Sequence, residues 1–253
     1  MADADFAARY LPFWIAGEIL GRVRRDLAPA LLEAGAVGQA ELGLMLRDAG
    51  FSNPRRSRLL QSLAVQLRGR GLIADWRNEL CSVLNAAGEE VARCERGAFR
   101  TLGIQNRAVH VNGYLADGRV WIARRSQLKR ADPGMLDNVA AGGVGAGESL
   151  RACAMRELWE EAGVPRSIAS RVEFPGISLR SVRETRFGLH DERVIVADVA
   201  LPEGFVPLGR DGEVEQFLCM RREEVEAALE RHEFTVEAGL AMREFLDRER
   251  LSR

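Results

Sequence analysis

The chain of 253 residues is 47% hydrophobic and 29% charged, the balance of a folded globular protein and outside the weakly hydrophobic, highly charged range of disorder. Its 36 basic and 37 acidic residues leave a formal net charge of −1, so no global field attracts a polyanion, and any affinity for phosphate has to be local. A nucleic-acid partner is excluded on that ground, and the length suits a main domain of about 150 residues with a smaller companion.

The chain opens MADADFAARY, acidic where a secretory leader carries basic residues, and no apolar run approaches the roughly 18 residues of a membrane span. The expectation is a cytoplasmic protein without a membrane partner. Cys81, Cys94, Cys153 and Cys219 lie far apart with no C-x-x-C pairing, and His110, His190 and His232 do not cluster with them. That spacing argues against a zinc site and for reduced thiols.

Residues 1–103 read as a helix-rich accessory domain. Ile19, Leu20, Val23 and Leu27 recur at helical spacing, as do Leu59, Leu60, Leu63 and Leu67, and Gly35, the Gly50 region and Asn53-Pro54 punctuate them. Leu11-Pro12-Phe13-Trp14-Ile15 either covers one edge of a pocket or buries its aromatics against the following domain. Further on, Leu80, Val83 and Leu84, then Ala87-Gly88, then Val91 suggest a short hairpin.

From Ile104 the pattern turns to strands, so 104–253 form the second domain. Ala108 to Leu115 alternates, Ala116-Asp117-Gly118 can turn the chain, and Arg119 to Ala123 returns as a partner. Further strands are expected at 172–174, 178–182, 193–201 and 216–220, and amphipathic helices at 223–231 and 236–248. Strands flanking helices within one domain predict a mixed α/β sandwich.

The chemistry concentrates between Gly142 and Val164. A helix over 149–162 would be stopped by Gly163 and Pro165, and it would set Glu157, Glu160 and Glu161 at i, i+3 and i+4 on one face. Each like-charge pair at that spacing costs about 0.2–0.5 kcal/mol, a repulsion that a divalent cation converts to coordination. Mg²⁺, with Mn²⁺ as a substitute, suits such hard oxygen ligands. The glycine-rich run Ala141 to Gly147 lets backbone at Gly142 approach the metal or substrate where a Cβ would interfere.

Gly142, Glu148 and the run Arg156-Glu157-Leu158-Trp159-Glu160-Glu161-Ala162-Gly163-Val164 fill every fixed position of G-x5-E-x7-R-E-U-x-E-E-x-G-U, U being aliphatic. This is the Nudix box, and the chain resembles the Nudix hydrolase superfamily. The resemblance implies an α/β/α sandwich with a mixed sheet and Mg²⁺-dependent cleavage of a diphosphate linkage. The metal would be held by Glu157, Glu160 and Glu161 with Gly142, and Arg156 joins the catalytic set as an orienting residue. Glu148 either pairs with Arg156 or reaches a second metal.

Val109 to Tyr114, Trp121 to Ser126, Lys129 and Pro133 to Asn138 resemble the branch related to the Nudix domain fused to thiamine pyrophosphokinase, and Trp76 to Leu80 resembles the end of its N-terminal region. That branch implies thiamine diphosphate or its oxidised analogues as substrates, cleaved to the monophosphate. The same segment resembles isopentenyl-diphosphate isomerase, by which Arg125 and Lys129, the chain's only lysine, would hold the diphosphate. Asn138 is a third substrate-binding candidate. The isomerase places a cysteine just after its Pro-Gly segment, and none occurs in Leu136 to Ala141. A ligand-binding module without catalysis is the other alternative, disfavoured because every box carboxylate is present.

The expected partner is therefore a small-molecule diphosphate, and monomer and homodimer both fit. Water would attack phosphorus in line, activated by metal. A general base comes from Glu157 or, outside the box, from Glu192, Glu213 or Glu215.

Overall fold

The computed structural model describes residues 3–73 and 75–251. They form two compact units, Met1–Asn106 with Gly145–Gly147 and Val182–Glu192, and Arg107–Val144 with Glu148–Ser181 and Arg193–Arg253. No helix among the described residues is long and apolar enough to cross a membrane.

The first unit runs α1 (Asp3–Arg9), β1 (Tyr10–Ile15), β2 (Glu18–Arg24), α2 (Ala28–Glu33), β3 (Val37–Ala40), β4 (Gly43–Leu46), α3 (Asn53–Gly69), β5 (Leu80–Leu84), β6 (Glu90–Glu95) and α4 (Ala98–Leu102). One sheet has the order β2-β1-β4-β3, with β1 and β4 parallel, and β5 pairs with β6 as the expected hairpin. Helix α3 starts after Ser52 with Pro54 in its first turn and buries Leu60, Leu63, Ala64 and Leu67, the i, i+3, i+4, i+7 stripe of an amphipathic helix. These residues share a core with Phe13, Ile15, Val23, Leu31 and Leu44. The aromatic segment around Phe13 is thus a strand that completes the unit's own interior.

Strands share this region with helices, and the helical expectation for Ile19, Leu20 and Val23 needs correction. Ile19, Leu20 and Val23 lie in β2, where Gly21 and Val23 point inward while their neighbours are only partly buried. Spacings of four satisfy a period of two as readily as one of 3.6, so the apolar pattern did not separate the alternatives. Ala16 and Gly17 decide the matter: both have positive φ, 54° and 82°, the geometry of a two-residue hairpin turn joining β1 to β2.

The chain continues with β7 (Asn106–Tyr114), β8 (Val120–Arg125), β9 (Leu136–Asp137), β10 (Ala140–Gly143), α5 (Leu150–Ala162), α6 (Arg166–Ala169), β11 (Ser178–Thr185), β12 (Gly188–Ala200), β13 (Val214–Met220), α7 (Arg222–Glu230) and α8 (Val236–Leu251), which make up the second unit except that Asn106 of β7, the end of β11 and the start of β12 belong to the first. The sheet order is β11-β12-β7-β8-β13, with β10 paired to β7 and β9 to β8. Successive side chains face opposite ways. Val109 and Val111 of β7 therefore join Cys153, Ala154, Leu158 and Ala162 of α5 in one core, whereas Val120 and Ile122 of β8 join Val225, Met242 and Phe245 of α7 and α8 in another. Helices on both faces of one sheet make the α/β/α sandwich. The strand expected at 172–174 is reduced to one bridge between Glu173 and Asp198; Pro175 follows, and with no N–H to donate it cannot extend a ladder.

Candidate active site

Helix α5 is set by local chemistry at both ends. The Ser149 side chain accepts from the Ala152 N–H at its start, and Gly163, at φ 63°, closes it in the left-handed conformation. Cys153, Ala154, Leu158 and Ala162 are fully buried against the sheet. Their small members bring β10 close, with the Cys153 Sγ 3.6 and 3.4 Å from the carbonyls of Gly142 and Gly143.

That approach places Glu157 directly over Gly142. A Cβ on Gly142 would lie 1.8 Å from the Glu157 Oε1 and 2.0 Å from its Cδ, so this strand position admits only glycine while the carboxylate stays where it is. One turn later the Glu161 Oε2 accepts from the Ala141 N–H at 2.8 Å. Both carboxylates are buried, whereas the Glu160 side chain is 46% exposed. Burial, then repulsion from Glu157 and Asp137, holds the Glu161 carboxyl well above the usual range; the Ala141 N–H and Lys129 pull the other way.

Arg156 ties the carboxylates together. Its guanidinium donates to both Glu148 oxygens at 2.9 and 3.1 Å, to Glu157 at 2.6 Å, to Glu160 at 3.2 Å and to the Gly143 carbonyl at 3.3 Å. The hydrogen bond to Glu148 foremost, and the charge of Glu157, hold it firmly protonated. Arg156 thus spans from the box helix to β10 and fixes Glu148 and Glu157 relative to each other.

The upstream candidates have different surroundings. Arg125 donates to Asp137 at 2.8 Å and to the carbonyls of Asp132 and Ala131 at 3.2 and 3.0 Å, closing the loop after β8. The Lys129 ammonium pairs with Glu213. Asn138 is 1% exposed: its Oδ1 lies 2.9 Å from the His110 Nδ1 and its amide donates to the Asn112 Oδ1 at 2.7 Å. Asn112 donates to Asp198, which pairs with Arg248 of α8. Asn138 is thereby one link in a buried polar chain through the sheet.

One carboxylate oxygen each of Glu161, Asp211 and Glu213 lies within 4.8 Å of the others. The loop before β13 brings them there by capping the box helix: Leu208 N–H donates to the Ala162 carbonyl and Arg210 N–H to that of Glu160, both at 3.0 Å, satisfying acceptors a helix end leaves free. The Arg210 guanidinium also stacks 3.8 Å from the centre of the Trp159 ring. Of the three acids proposed outside the box, Glu213 joins this cluster, Glu215 is exposed on β13, and Glu192 belongs to the first unit. Asp211 had no signal in the sequence beyond its Asp-Gly-Glu setting, because its neighbourhood with Glu161 arises from the loop's docking.

Two family models match the chain in succession. The NUDIX domain profile matches residues 105–242, and a domain of unknown function, DUF4743, matches residues 3–106. The chain is similar to Nudix hydrolase 20, chloroplastic, of Arabidopsis thaliana, at 32% identity over 244 residues, covering 89% of this chain and 64% of that protein. It is also similar to Nudix hydrolase 24, chloroplastic, of the same plant, at 30% identity over 219 residues, covering 82% and 59%. The chain therefore spans about three fifths of the length of these relatives. A crystal structure from Deinococcus radiodurans aligns with a TM-score of 0.49 at 21% identity, covering 67% of this chain and 98% of that one.

Proposed function

Because the chain belongs to the Nudix family, we propose that it hydrolyses a diphosphate linkage in a small organic molecule with a divalent cation, Mg²⁺ or in its place Mn²⁺, at the box carboxylates. The observation that carries this reading is the buried pair Glu157 and Glu161, on successive turns of α5 beside the backbone of β10. Two like charges in that position are costly by themselves. Their oxygens, with those of Glu160, are the hard donors a divalent ion prefers. Such an ion would supply charge neutralisation at the diphosphate and acidify the attacking water.

The remaining roles fall to the chain's own groups. Arg156 holds Glu148, Glu157 and Glu160 in place. Lys129 brings an ammonium beside the carboxylates, where a substrate phosphate can replace Glu213 as its partner. Glu213, released from Lys129, becomes the acceptor for the water proton, preferred to Glu192 and Glu215 by its place beside Glu161. The relatives' names as hydrolases support the reaction class. The thiamine-type substrate rests on the resemblance across 109–138. Against isomerisation, Cys153 is completely buried with its sulfur turned to the carbonyls of β10, closed to proton exchange with a substrate carbon.

The test is a screen for phosphate release with Mg²⁺ over thiamine diphosphate, its oxidised analogues, nucleoside diphosphate derivatives and isopentenyl diphosphate. The thiamine compounds should turn over fastest, and Glu160→Gln should remove most of the activity without unfolding the chain. Faster nucleotide turnover would displace the substrate assignment, and full activity in Glu160→Gln would displace the metal site.

A further inference from the structure

We propose that the first unit carries a binding site of its own, a recess that takes a small aromatic monocarboxylate on the guanidinium of Arg100. The recess opens to solvent, and every residue lining it belongs to this unit. It lies apart from the box carboxylates in composition and in chain segment, and the hydrolase reading does not use it.

Its construction fits a ligand with an apolar body and one acidic group. Phe99, Ile104 and Leu189, all buried, and the half-buried Phe187 give it an apolar lining, and charged groups make up much of the rest. Ligand pockets commonly combine an apolar wall with a few convergent polar groups. Three arginines line it, and they are not equivalent. Arg77 pairs with Asp75 at 2.6 Å and Arg96 with Glu79 at 3.0 Å. Arg100 makes no side-chain hydrogen bond and no ion pair with any described residue.

A guanidinium cannot shed its charge to escape such a position. Burial, followed by repulsion from Arg183, disfavours the charge of Arg100, and the charges of Glu192 and Asp75 offset this only in part. Its five donors are thus left for an external acceptor, and the planar fork matches a carboxylate. The other charges in the recess choose among anions. Asp191 and Glu192 are buried beside it, holding the amides of Gln105 and Asn106 at 3.1 and 3.2 Å. These carboxylates oppose a phosphate dianion more strongly than a monoanion, which selects a carboxylate.

The experiment titrates the full chain with benzoate by calorimetry and by amide chemical shifts, with phenyl phosphate and inorganic phosphate as parallel arms. Benzoate should bind saturably, shift the amides of 97–104 and 187–192, and lose at least tenfold in affinity in Arg100→Gln. Phe187→Ala should weaken benzoate as well. Should Arg100→Gln fail to fold, the shift map of the unmodified chain and the smaller loss in Arg100→Lys decide the matter. Unsaturable binding, shifts confined to other segments, or equal affinity in a folded Arg100→Gln would overturn the site. Tighter, Arg100-dependent binding of phenyl phosphate would overturn the choice of monocarboxylate.

Discussion

Gly142→Ala isolates the contact on which the proposed metal site depends. The new methyl carbon would stand 1.8 Å from the Glu157 Oε1, against the 3.4 Å at which ordinary contact begins, so the oxygen must retreat by about 1.6 Å. The obstructing atom is the end of a flexible side chain, and the strand itself need not move. The fold should therefore survive at an overpacking cost near the lower end of the usual range, about 1 kcal/mol. Catalysis should suffer far more, since a misplacement of about 1 Å in a catalytic group can cost on the order of 10²-fold in rate. The assay pairs kcat, measured against Mg²⁺ concentration, with thermal unfolding of the metal-free chain. A fall of roughly 10²-fold in kcat with a raised Mg²⁺ requirement and a modest loss of Tm is expected. Unchanged kcat and Mg²⁺ dependence would refute the placement of Glu157 at the metal.

Three further outcomes follow from the same geometry. Arg156→Lys keeps the charge but loses the fork that reaches Glu148, Glu157 and Gly143 together, so kcat should drop by at least about tenfold with little change in KM, measured by steady-state kinetics. Lys129→Ala should raise KM for the diphosphate by about tenfold or more, the worth of one charge-assisted hydrogen bond, with a smaller change in kcat; equal KM would show that the phosphate is held elsewhere. Glu161 binds its proton more tightly in the folded than in the unfolded chain, so the metal-free protein should lose stability as pH rises from the ordinary carboxylate range through the raised value. Thermal unfolding against pH should show that decline, and Glu161→Gln should flatten it.

The parts of the structure legible in the sequence are those decided by neighbours along the chain. The Ser149 cap, the Gly163 stop and the spacing of Glu157, Glu160 and Glu161 are all local to α5, and the helix forms with one terminal residue's difference from the expected range. The hairpin of β5 and β6 and the strands β7 and β8 likewise carry their turns within a few residues. Ile19 to Leu27 misled because its spacing suits two periods, and the turn that resolves it, Ala16-Gly17, is short and carries only one glycine. The partners of Arg125 and Asn138 could not be read at all, since Asp137 and His110 become neighbours only through the pairing of β8 with β9 and β7 with β10. The same holds for Asp211, which reaches Glu161 because Leu208 and Arg210 occupy the last carbonyls of α5.

Helix α5 also shows why a site of this kind needs the residues that are not acidic. Glu157 and Glu161 alternate with Cys153, Ala154, Leu158 and Ala162, and the latter four anchor the helix in the core. That apolar burial is what keeps two carboxylates pressed towards β10 against their mutual repulsion. Had 153 or 154 been large, β10 would stand further off, and neither the Ala141 N–H nor the bare Gly142 backbone would meet the glutamates. Had Arg156 been absent, Glu148 and Glu157 would lose their shared counter-charge. The small residues set the distance, the arginine sets the orientation, and the carboxylates are left with oxygens that a cation can use.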